Sequence, residues 1–122
     1  MSKKKSKNAV AKKKKEFRYH KVQVKSKNGK IVKIRHPSYI FLEKGNIFIF
    51  VTITHSNKVE NELLIKLREN PNPNDKRKSY WVARIKFDTK DRFGKRDKRW
   101  KMNKQDDEDI RAFNNKNSTN NK

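Results

Sequence analysis

Residues 35–56 form the longest apolar stretch in a very polar chain of 122 residues. Two runs of β-branched and aromatic residues, 38–44 and 47–54, flank Gly45-Asn46. Glycine at the first central position of a two-residue turn is typical of a type II′ β-hairpin. The segment therefore predicts two long antiparallel strands, against which the shorter apolar runs of the chain must pack.

Pairing about Gly45-Asn46 sets the register of this hairpin. It predicts an aliphatic face, with the pairs Ile40–Val51, Leu42–Ile49 and Ser38–Ile53, and an opposite face that carries Tyr39, Phe41, Phe48 and Phe50. These aromatic residues could stack on unpaired bases of a nucleic acid, or they could form half of a core. We favour the core, since the chain has little other apolar material. The same register brings His36 opposite His55, with Cβ atoms ~4.5–5.5 Å apart.

A first hairpin is predicted upstream. Residues 17–26 alternate loosely, Asn28-Gly29 is a strong turn signal, and residues 31–34 resume an extended pattern. Proline donates no backbone N–H and belongs at a strand start or edge. We therefore expect the chain to bend at Pro37, between the two hairpins.

The second half of the chain predicts two strands and a helix. Residues 62–67 are a short apolar run before a loop rich in asparagine and proline, and residues 79–88 alternate cleanly enough for one continuous strand. Acids at 106–109 precede Ile110 and Phe113. This order predicts a short helix over 105–113, with acids in its first turn and two apolar residues docked on the sheet.

The charge of the chain is one-sided. It carries 35 lysines and arginines against 13 acids, a formal net charge of +22, and 31% of its residues are hydrophobic. The core must be small, and the charge favours a polyanion such as RNA or another nucleic acid. A purely solubilising role is the less favoured alternative, because solubility seldom needs so large an excess.

Composition also divides the chain. Residues 1–16 hold eight lysines and one acid, a composition that predicts a disordered basic segment at the N-terminus. Residues 17–113 are predicted to form one small barrel domain that keeps an excess of basic residues. Residues 114–122 are rich in asparagine and are predicted to be a disordered tail.

Missing residue types limit the chemistry. The chain has no cysteine, which excludes disulfides, thiolate catalysis and cysteine-based zinc sites. It has no glycine-rich phosphate loop, and its three histidines lack cysteine partners, so we expect neither a metal nor a cofactor. The basic N-terminus lacks an apolar signal core, and no apolar run has the length of a membrane span. We expect a cytoplasmic protein with no membrane partner.

The predicted pair of histidines points to acid–base chemistry. Cleavage of RNA by its own 2′-OH needs a base, an acid for the leaving 5′-oxygen, and donors for the phosphorane charge. Histidine can carry out either proton transfer without a metal. His36 and His55 are the candidates, with Arg35 stabilising the charge and the Thr54 hydroxyl donating a hydrogen bond. The plainer alternative is that both histidines merely end strands at a polar rim.

Basic residues of the last strand and of the loop after it are predicted to bind nucleic acid, because aromatic side chains are interleaved with them. The set comprises Arg84, Lys86, Arg92, Lys95, Arg96, Arg99 and Trp100.

Three motifs resemble the PemK/MazF family of toxin endoribonucleases, over roughly residues 33–93. They are RHPSYIFL at 35–42, FIFVTIT at 48–54 and SYWVARIKFDTKDRF at 79–93. In that family one strand opens with Arg-Pro and an apolar run, and the next long strand ends in an apolar residue and threonine. The resemblance implies an SH3-like barrel, with the catalytic arginine at Arg35 and the catalytic threonine at Thr54. Because His36 stands between arginine and proline here, either Arg35 or His36 could take the first place.

Together these patterns predict a mainly β protein, a small SH3-like antiparallel barrel with a short C-terminal helix. Its predicted function is RNA binding, extending to metal-independent endoribonuclease activity of toxin type. The alternative is a non-enzymatic nucleic-acid-binding protein, ribosome-associated or an accessory of a mobile element. A small acidic antitoxin-like protein would complement the charge, and a monomer and a homodimer both stay open.

Overall fold

The computed structural model describes residues 10–59 and 61–120. Within these ranges it contains six strands, one 3-10 helix and one α-helix. They are β1 (Lys12–Lys25), β2 (Ile31–Lys44), β3 (Ile47–Thr54), β4 (Leu64–Lys66), β5 (Tyr80–Val82), β6 (Lys86–Thr89), the 3-10 helix (Lys90–Arg92) and α1 (Lys104–Asn120). All strand pairs are antiparallel. The predicted fold class, mainly β with a C-terminal helix, is confirmed.

The sheet is centred on β3. The strand order is β1-β2-β3-β5-β4, and β6 also pairs with β3. After the 3-10 helix the chain returns to β1, where Phe93 forms a bridge with His20. The N–H groups of Gly94 and Asp97 donate to β1 carbonyls at 2.9 and 2.8 Å. These contacts cover part of the β1 edge, but over the described residues the sheet is not closed into the predicted barrel.

The first hairpin forms as predicted, but it is longer at both ends. Gly29 adopts φ +81° in its turn, and β2 continues through Pro37, which pairs with Tyr19, so the expected bend is not seen. The predicted disorder of residues 1–16 is wrong for Lys12–Glu16, which belong to β1. The long β2 offers these residues a partner edge, and the Lys14 ammonium lies 3.0 Å from a Glu43 carboxylate oxygen. Residues 1–9 lie outside the described part.

The second hairpin contains an irregularity at Phe41 that changes its register. Gly45 has φ +58°, as a type II′ turn requires, and Leu42 pairs with Ile49 as predicted. Beyond Phe41 the pairs are Ile40–Phe50, Tyr39–Val51 and Ser38–Thr52. The predicted partners of Ile40 and Ser38 are therefore wrong by one residue. A bulge inserts one extra residue, which moves the following side chains of that strand to the other face.

Two apolar clusters fill the two faces of the sheet. The first lies under α1 and comprises Phe17, Tyr39, Phe41, Val51, Ile53, Leu67, Trp81 and Ile110. The second comprises Ile40, Phe48, Phe50 and Phe93. The four aromatic residues of the central hairpin are at most 5% exposed. Their interpretation as core is confirmed, and none of them is available to stack on a base. The single aromatic face predicted for them is wrong, because Tyr39 and Phe41 belong to the first cluster and Phe48 and Phe50 to the second.

The predicted strand 79–88 is broken. β5 pairs with the end of β3 and β6 with its beginning, and residues 83–85 between them leave the ladder. The Ala83 N–H donates to the Leu63 carbonyl at 2.8 Å instead. Trp81 is 2% exposed and Phe87 is 72% exposed, so the shared face predicted for them is wrong.

The C-terminal helix docks as predicted and is longer than predicted. The Asn103 side-chain oxygen accepts the N–H groups of Gln105 and Asp106 at 2.9 and 3.1 Å, which caps α1. Ile110 is fully buried, and Phe113 contacts the ring of Trp81. With no proline or glycine to stop it, α1 continues to Asn120, through most of the tail predicted to be disordered. Among the described residues, no helix has the length and apolar character that a membrane crossing requires.

Tyr39 links the sheet to α1 through a buried hydrogen bond. Its hydroxyl donates to the Asp107 carboxylate at 2.6 Å, and Arg111 donates to the second carboxylate oxygen at 2.9 Å. Burial is the main reason why the pKa of Tyr39 lies well above its ordinary value, and the hydrogen bond to Asp107 adds to it.

Replacing Tyr39 with phenylalanine should lower the free energy of unfolding by about 1–3 kcal/mol, because the buried carboxylate of Asp107 loses a donor. Since folding raises the pKa of Tyr39, its contribution is complete below about pH 10 and is lost as the pH rises further. Urea unfolding between neutral and alkaline pH would test both expectations. The variant should lose part of the alkaline decline, whereas Tyr19→Phe, at an exposed tyrosine, should keep all of it.

Candidate functional site

The predicted pairing of His36 with His55 is wrong. The β2–β3 ladder ends at Ser38–Thr52, and His36 pairs instead with His20 of β1. His55 lies just beyond β3, where its Nε2 is 3.2 Å from the Asp75 carboxylate. The two imidazoles thus have different partners on different elements.

The other two predicted catalytic residues also have contacts of their own. Thr54 Oγ1 accepts the backbone N–H of Ser56 at 3.1 Å. Arg35 precedes His36 in β2, so its side chain leaves the opposite face of the strand, and its guanidinium lies 5.8 Å from the centre of the Tyr19 ring. The structure therefore does not gather Arg35, Thr54 and His55 around His36.

A different polar group comes together, which we call the His20–His36 cluster. It comprises His20, His36, Thr52, Lys86 and Asp88. Residues directly opposite each other in an antiparallel ladder share a face. The pairs His20–His36, Ser38–Thr52, Phe50–Lys86 and Phe48–Asp88 place all five side chains on the face of the second apolar cluster.

His20 is the most firmly held member of the cluster. Its Nε2 lies 2.8 Å from Asp88 Oδ2, and its ring packs against Phe50 and Phe93 with centroid distances of 4.7 and 4.8 Å. Burial alone would raise the pKa of Asp88, but hydrogen bonds from His20 and from the Thr89 N–H outweigh burial and lower it. Asp88 is therefore ionised at neutral pH, accepts the Nε2 proton of His20 and fixes the orientation of the ring.

His36 is the exposed member of the cluster, yet its surroundings perturb it. Desolvation by neighbouring atoms is the main reason why the pKa of His36 lies below its ordinary value, and the positive charges of Lys86 and His20 add to the effect. The imidazole is therefore neutral at pH 7 and can accept a proton. Lys86 Nζ lies 3.4 Å from Thr52 Oγ1, at the outer limit of a hydrogen bond.

The sequence contained part of a signal for this cluster, which the expected bend at Pro37 concealed; the exact register also depends on the five-residue loop 26–30. The first hairpin, continued through Pro37, pairs His20 with His36. The contributions of Thr52 and Asp88 depend on the irregularity at Phe41 and on the break between β5 and β6, and no local pattern predicts either of them.

The basic residues predicted to bind nucleic acid fall into two groups. Arg84 is ion-paired with Glu62 at 2.8 Å, and Trp100 is half-buried, with its ring 5.5 Å from that of Phe17. Lys86 belongs to the His20–His36 cluster. The remaining four side chains are exposed along the segment that follows β6, at Arg92, Lys95, Arg96 and Arg99.

The outer half of the first hairpin, residues 21–35, adds a surface that the sequence reasoning did not select. We call it the basic arm. It carries six cations and no acid, at Lys21, Lys25, Lys27, Lys30, Lys33 and Arg35, all of them exposed. Over residues 10–59 and 61–120, none of these six side chains forms a salt bridge. Their charge faces solvent, and alternation along the strands puts Lys21, Lys33 and Arg35 on the face opposite to the cluster.

Comparison with protein-family models, curated proteins and solved structures finds no match. The likeness to PemK/MazF toxins stays a prediction, and function must be inferred from the cluster and the basic arm. In the described part of the chain, no three histidine, aspartate or glutamate side chains are grouped so that they could hold a metal ion.

Proposed function

We propose that the protein binds RNA, with the basic arm as its main contact. The observation that carries this proposal is the set of six exposed cations on residues 21–35, which have no acid among them and form no salt bridge with any described residue. Such a surface releases counterions from a phosphate backbone when the two associate. The exposed basic residues that follow β6 extend the same positive surface.

The distribution of acids supports this proposal. Many carboxylates are used in internal ion pairs: Glu43 with Lys14 and Lys90, Asp106 and Asp109 with Arg68, Asp107 with Arg111, and Asp75 with Arg77. These pairs neutralise charge in the body of the fold and leave the arm uncompensated. A polyanion approaching the molecule is therefore attracted to the arm first.

Charge reversal tests this proposal. The variant Lys25→Glu/Lys27→Glu/Lys30→Glu should bind single-stranded RNA at least about 100-fold more weakly, and its plot of log affinity against log salt should be shallower by about 2, since each phosphate contact contributes about 0.7. The control is Lys66→Glu/Lys76→Glu/Lys104→Glu, which changes the net charge equally at exposed lysines away from the arm. Equal losses in the two variants would show that net charge alone determines binding.

A second function, metal-independent cleavage of the bound RNA, is favoured by the His20–His36 cluster. Neutral His36 would remove the 2′-OH proton, and the 2′-oxygen would attack the adjacent phosphorus. The P–O5′ bond breaks, and the leaving oxygen takes a ring proton from His20, which Asp88 orients. The product ends in a 2′,3′-cyclic phosphate. Lys86 lies close enough to His36 to influence its pKa and would stabilise the phosphorane charge.

The resemblance to PemK/MazF toxins agrees with this assignment. His36 and Thr54 each stand two residues beyond the last β2–β3 pair, Ser38–Thr52, and alternation puts both on the face of the cluster. Of the two residues left open for the family's arginine position, His36 is the one on that face. An acidic antitoxin-like protein that covered the basic arm would block RNA binding and cleavage together. RNA binding without cleavage would favour the non-enzymatic alternative.

A further inference from the structure

The basic arm is a two-stranded ribbon whose two faces differ. Residues that pair directly across an antiparallel ladder share a face, and neighbours along a strand alternate between faces. One face of the arm, which we call the cationic face, therefore carries four of the six cations, at Lys21, Lys25, Lys33 and Arg35. The opposite face continues from the His20–His36 cluster and carries four aliphatic side chains, at Val22, Val24, Val32 and Ile34.

An exposed aromatic ring lies at the inner end of the cationic face. Tyr19 stands two residues before Lys21 in β1, so its side chain is on the same face, and 40% of it is exposed. The Arg35 guanidinium lies over this ring, 5.8 Å from its centre. Nucleic-acid bases stack on tyrosine rings and on arginine guanidinium planes, and both kinds of surface are present here.

Packing on one side holds the Tyr19 ring in position. Trp100 contacts its edge, with ring centres 6.3 Å apart and an angle of 65° between the planes, and Trp100 packs in turn on the buried Phe17 at 5.5 Å. The acid beside the two exposed rings, Asp97, lies 3.5 Å from the Arg99 guanidinium, which offsets its charge. The ring is therefore oriented before a ligand arrives, and an anion can approach it.

The cations continue away from Tyr19 along both strands. Residues of one strand that share a face repeat every ~6.6 Å, so Arg35 is followed by Lys33 along β2, beside Lys21 on β1. Within the part of the chain that the structure describes, these three side chains form no salt bridge. Proteins that bind single-stranded nucleic acid combine such a charged track for the backbone with aromatic rings for the bases.

A second exposed aromatic ring provides a contrast. Phe87 is 72% exposed on β6, which pairs with β3 and not with the strands of the arm. No lysine or arginine among the described residues lies over its ring. Exposure occurs at both rings, but the cationic partner and the adjoining cations belong to Tyr19.

We propose that Tyr19 and Arg35 form a stacking site for one unpaired base of single-stranded RNA, whose backbone follows Lys21 and Lys33 along the cationic face. This inference rests on the proposed RNA binding and adds the form of RNA that the arm prefers. A strand with unpaired bases can occupy the site, whereas the bases of a duplex are already paired and stacked. The site lies on the face opposite to the His20–His36 cluster, so binding to it is measured independently of cleavage.

Substitution of the ring tests the stacking site. Tyr19→Ala should weaken the binding of oligouridylate at least about fivefold, the lower end for one stacked base, whereas Tyr19→Phe keeps a ring and should change it less than about twofold. The slope of log affinity against log salt should stay the same, because no phosphate contact is lost. Phe87→Ala, which removes the other exposed ring, is the matched control. Equal affinities of Tyr19→Ala and either Tyr19→Phe or Phe87→Ala would overturn the stacking site.

Two further RNA probes separate stacking from charge. Unaltered protein should bind an abasic oligoribonucleotide at least about fivefold more weakly than oligouridylate of the same length, a comparison that holds even if Tyr19→Ala fails to fold. Tyr19→Ala should change the affinity for a fully paired RNA duplex less than about twofold. Equal binding of the abasic strand, or an equal loss on the duplex, would overturn the stacking site and leave RNA binding by charge. If no probe binds in a salt-dependent manner, the proposed function fails as well.

Discussion

Replacing His36 with alanine is expected to slow RNA cleavage by about 10²–10⁴-fold, the usual contribution of a general acid or base. RNA affinity should change little, because the His36 imidazole is neutral at pH 7 and adds no charge to the basic arm. The measurement is cleavage of a labelled RNA in EDTA, with detection of 2′,3′-cyclic phosphate ends. His55→Ala is the matched control, since His55 pairs with Asp75 outside the cluster.

The pH dependence of cleavage adds a readout that a structural role would not produce. The lowered pKa of His36 keeps it unprotonated over the neutral range, so the rising limb of the pH–rate profile, which reports the base, should lie below about 6.5, the ordinary value for histidine. Lys86→Ala removes a positive charge that lowers the pKa of His36, and its rise should move to higher pH. Unchanged cleavage in His36→Ala, or an equal loss in His55→Ala, would remove the histidine from the mechanism.

The same pKa shift has a consequence for stability. Because folding lowers the pKa of His36, its neutral form contributes stability above the unfolded pKa of about 6.5, and this contribution is lost as the pH falls through the folded value. A loss of activity at acid pH must therefore be separated from partial unfolding. Circular dichroism at each pH of the cleavage assay makes that separation.

Local signals in the sequence were sufficient for the turns. Gly29 and Gly45 both adopt the positive φ that their turns need, and each hairpin forms around them. The helix start was also readable, because its acids and the two apolar residues that follow have the spacing of a docked helix. The two turns and the helix start are determined by a few neighbouring residues, and tertiary packing does not change them.

The register of the central hairpin could not be read in the same way. Residues 39–42 are apolar on both faces, so alternation does not reveal that Phe41 is the extra residue. That single residue determines whether His36 is aligned with His55. The predicted site of His36 and His55 is wrong for this reason. The His20–His36 cluster that the structure shows instead depends on His20, a histidine to which the sequence analysis assigned no role.

Long-range partners explain the other differences. Lys12–Glu16 look disordered in isolation, because four of these five residues are lysines. They become a strand because β2 extends far enough to pair with them and because acids of both strands offset their charge. Local composition carries no information about such a partner edge.

Trp81 provides the largest expected effect on stability. Its side chain is 2% exposed in the first apolar cluster, pairs across the sheet with Ile53 and lies 5.4 Å from the ring of Phe113 on α1. Replacing it with alanine removes the contact between sheet and helix and leaves a cavity. The expected loss in the free energy of unfolding is about 3–5 kcal/mol, measured by urea unfolding with circular dichroism.

Phe87 is the matched control, because the sequence pattern assigns it to the same face as Trp81 while the structure leaves it 72% exposed. Phe87→Ala should cost less than about 0.5 kcal/mol, as expected for a surface substitution. If the strand were continuous, as clean alternation predicts, both aromatic residues would be buried and both variants would be strongly destabilised. Comparable losses would therefore contradict the break at residues 83–85, and with it the positions of Lys86 and Asp88 in the His20–His36 cluster.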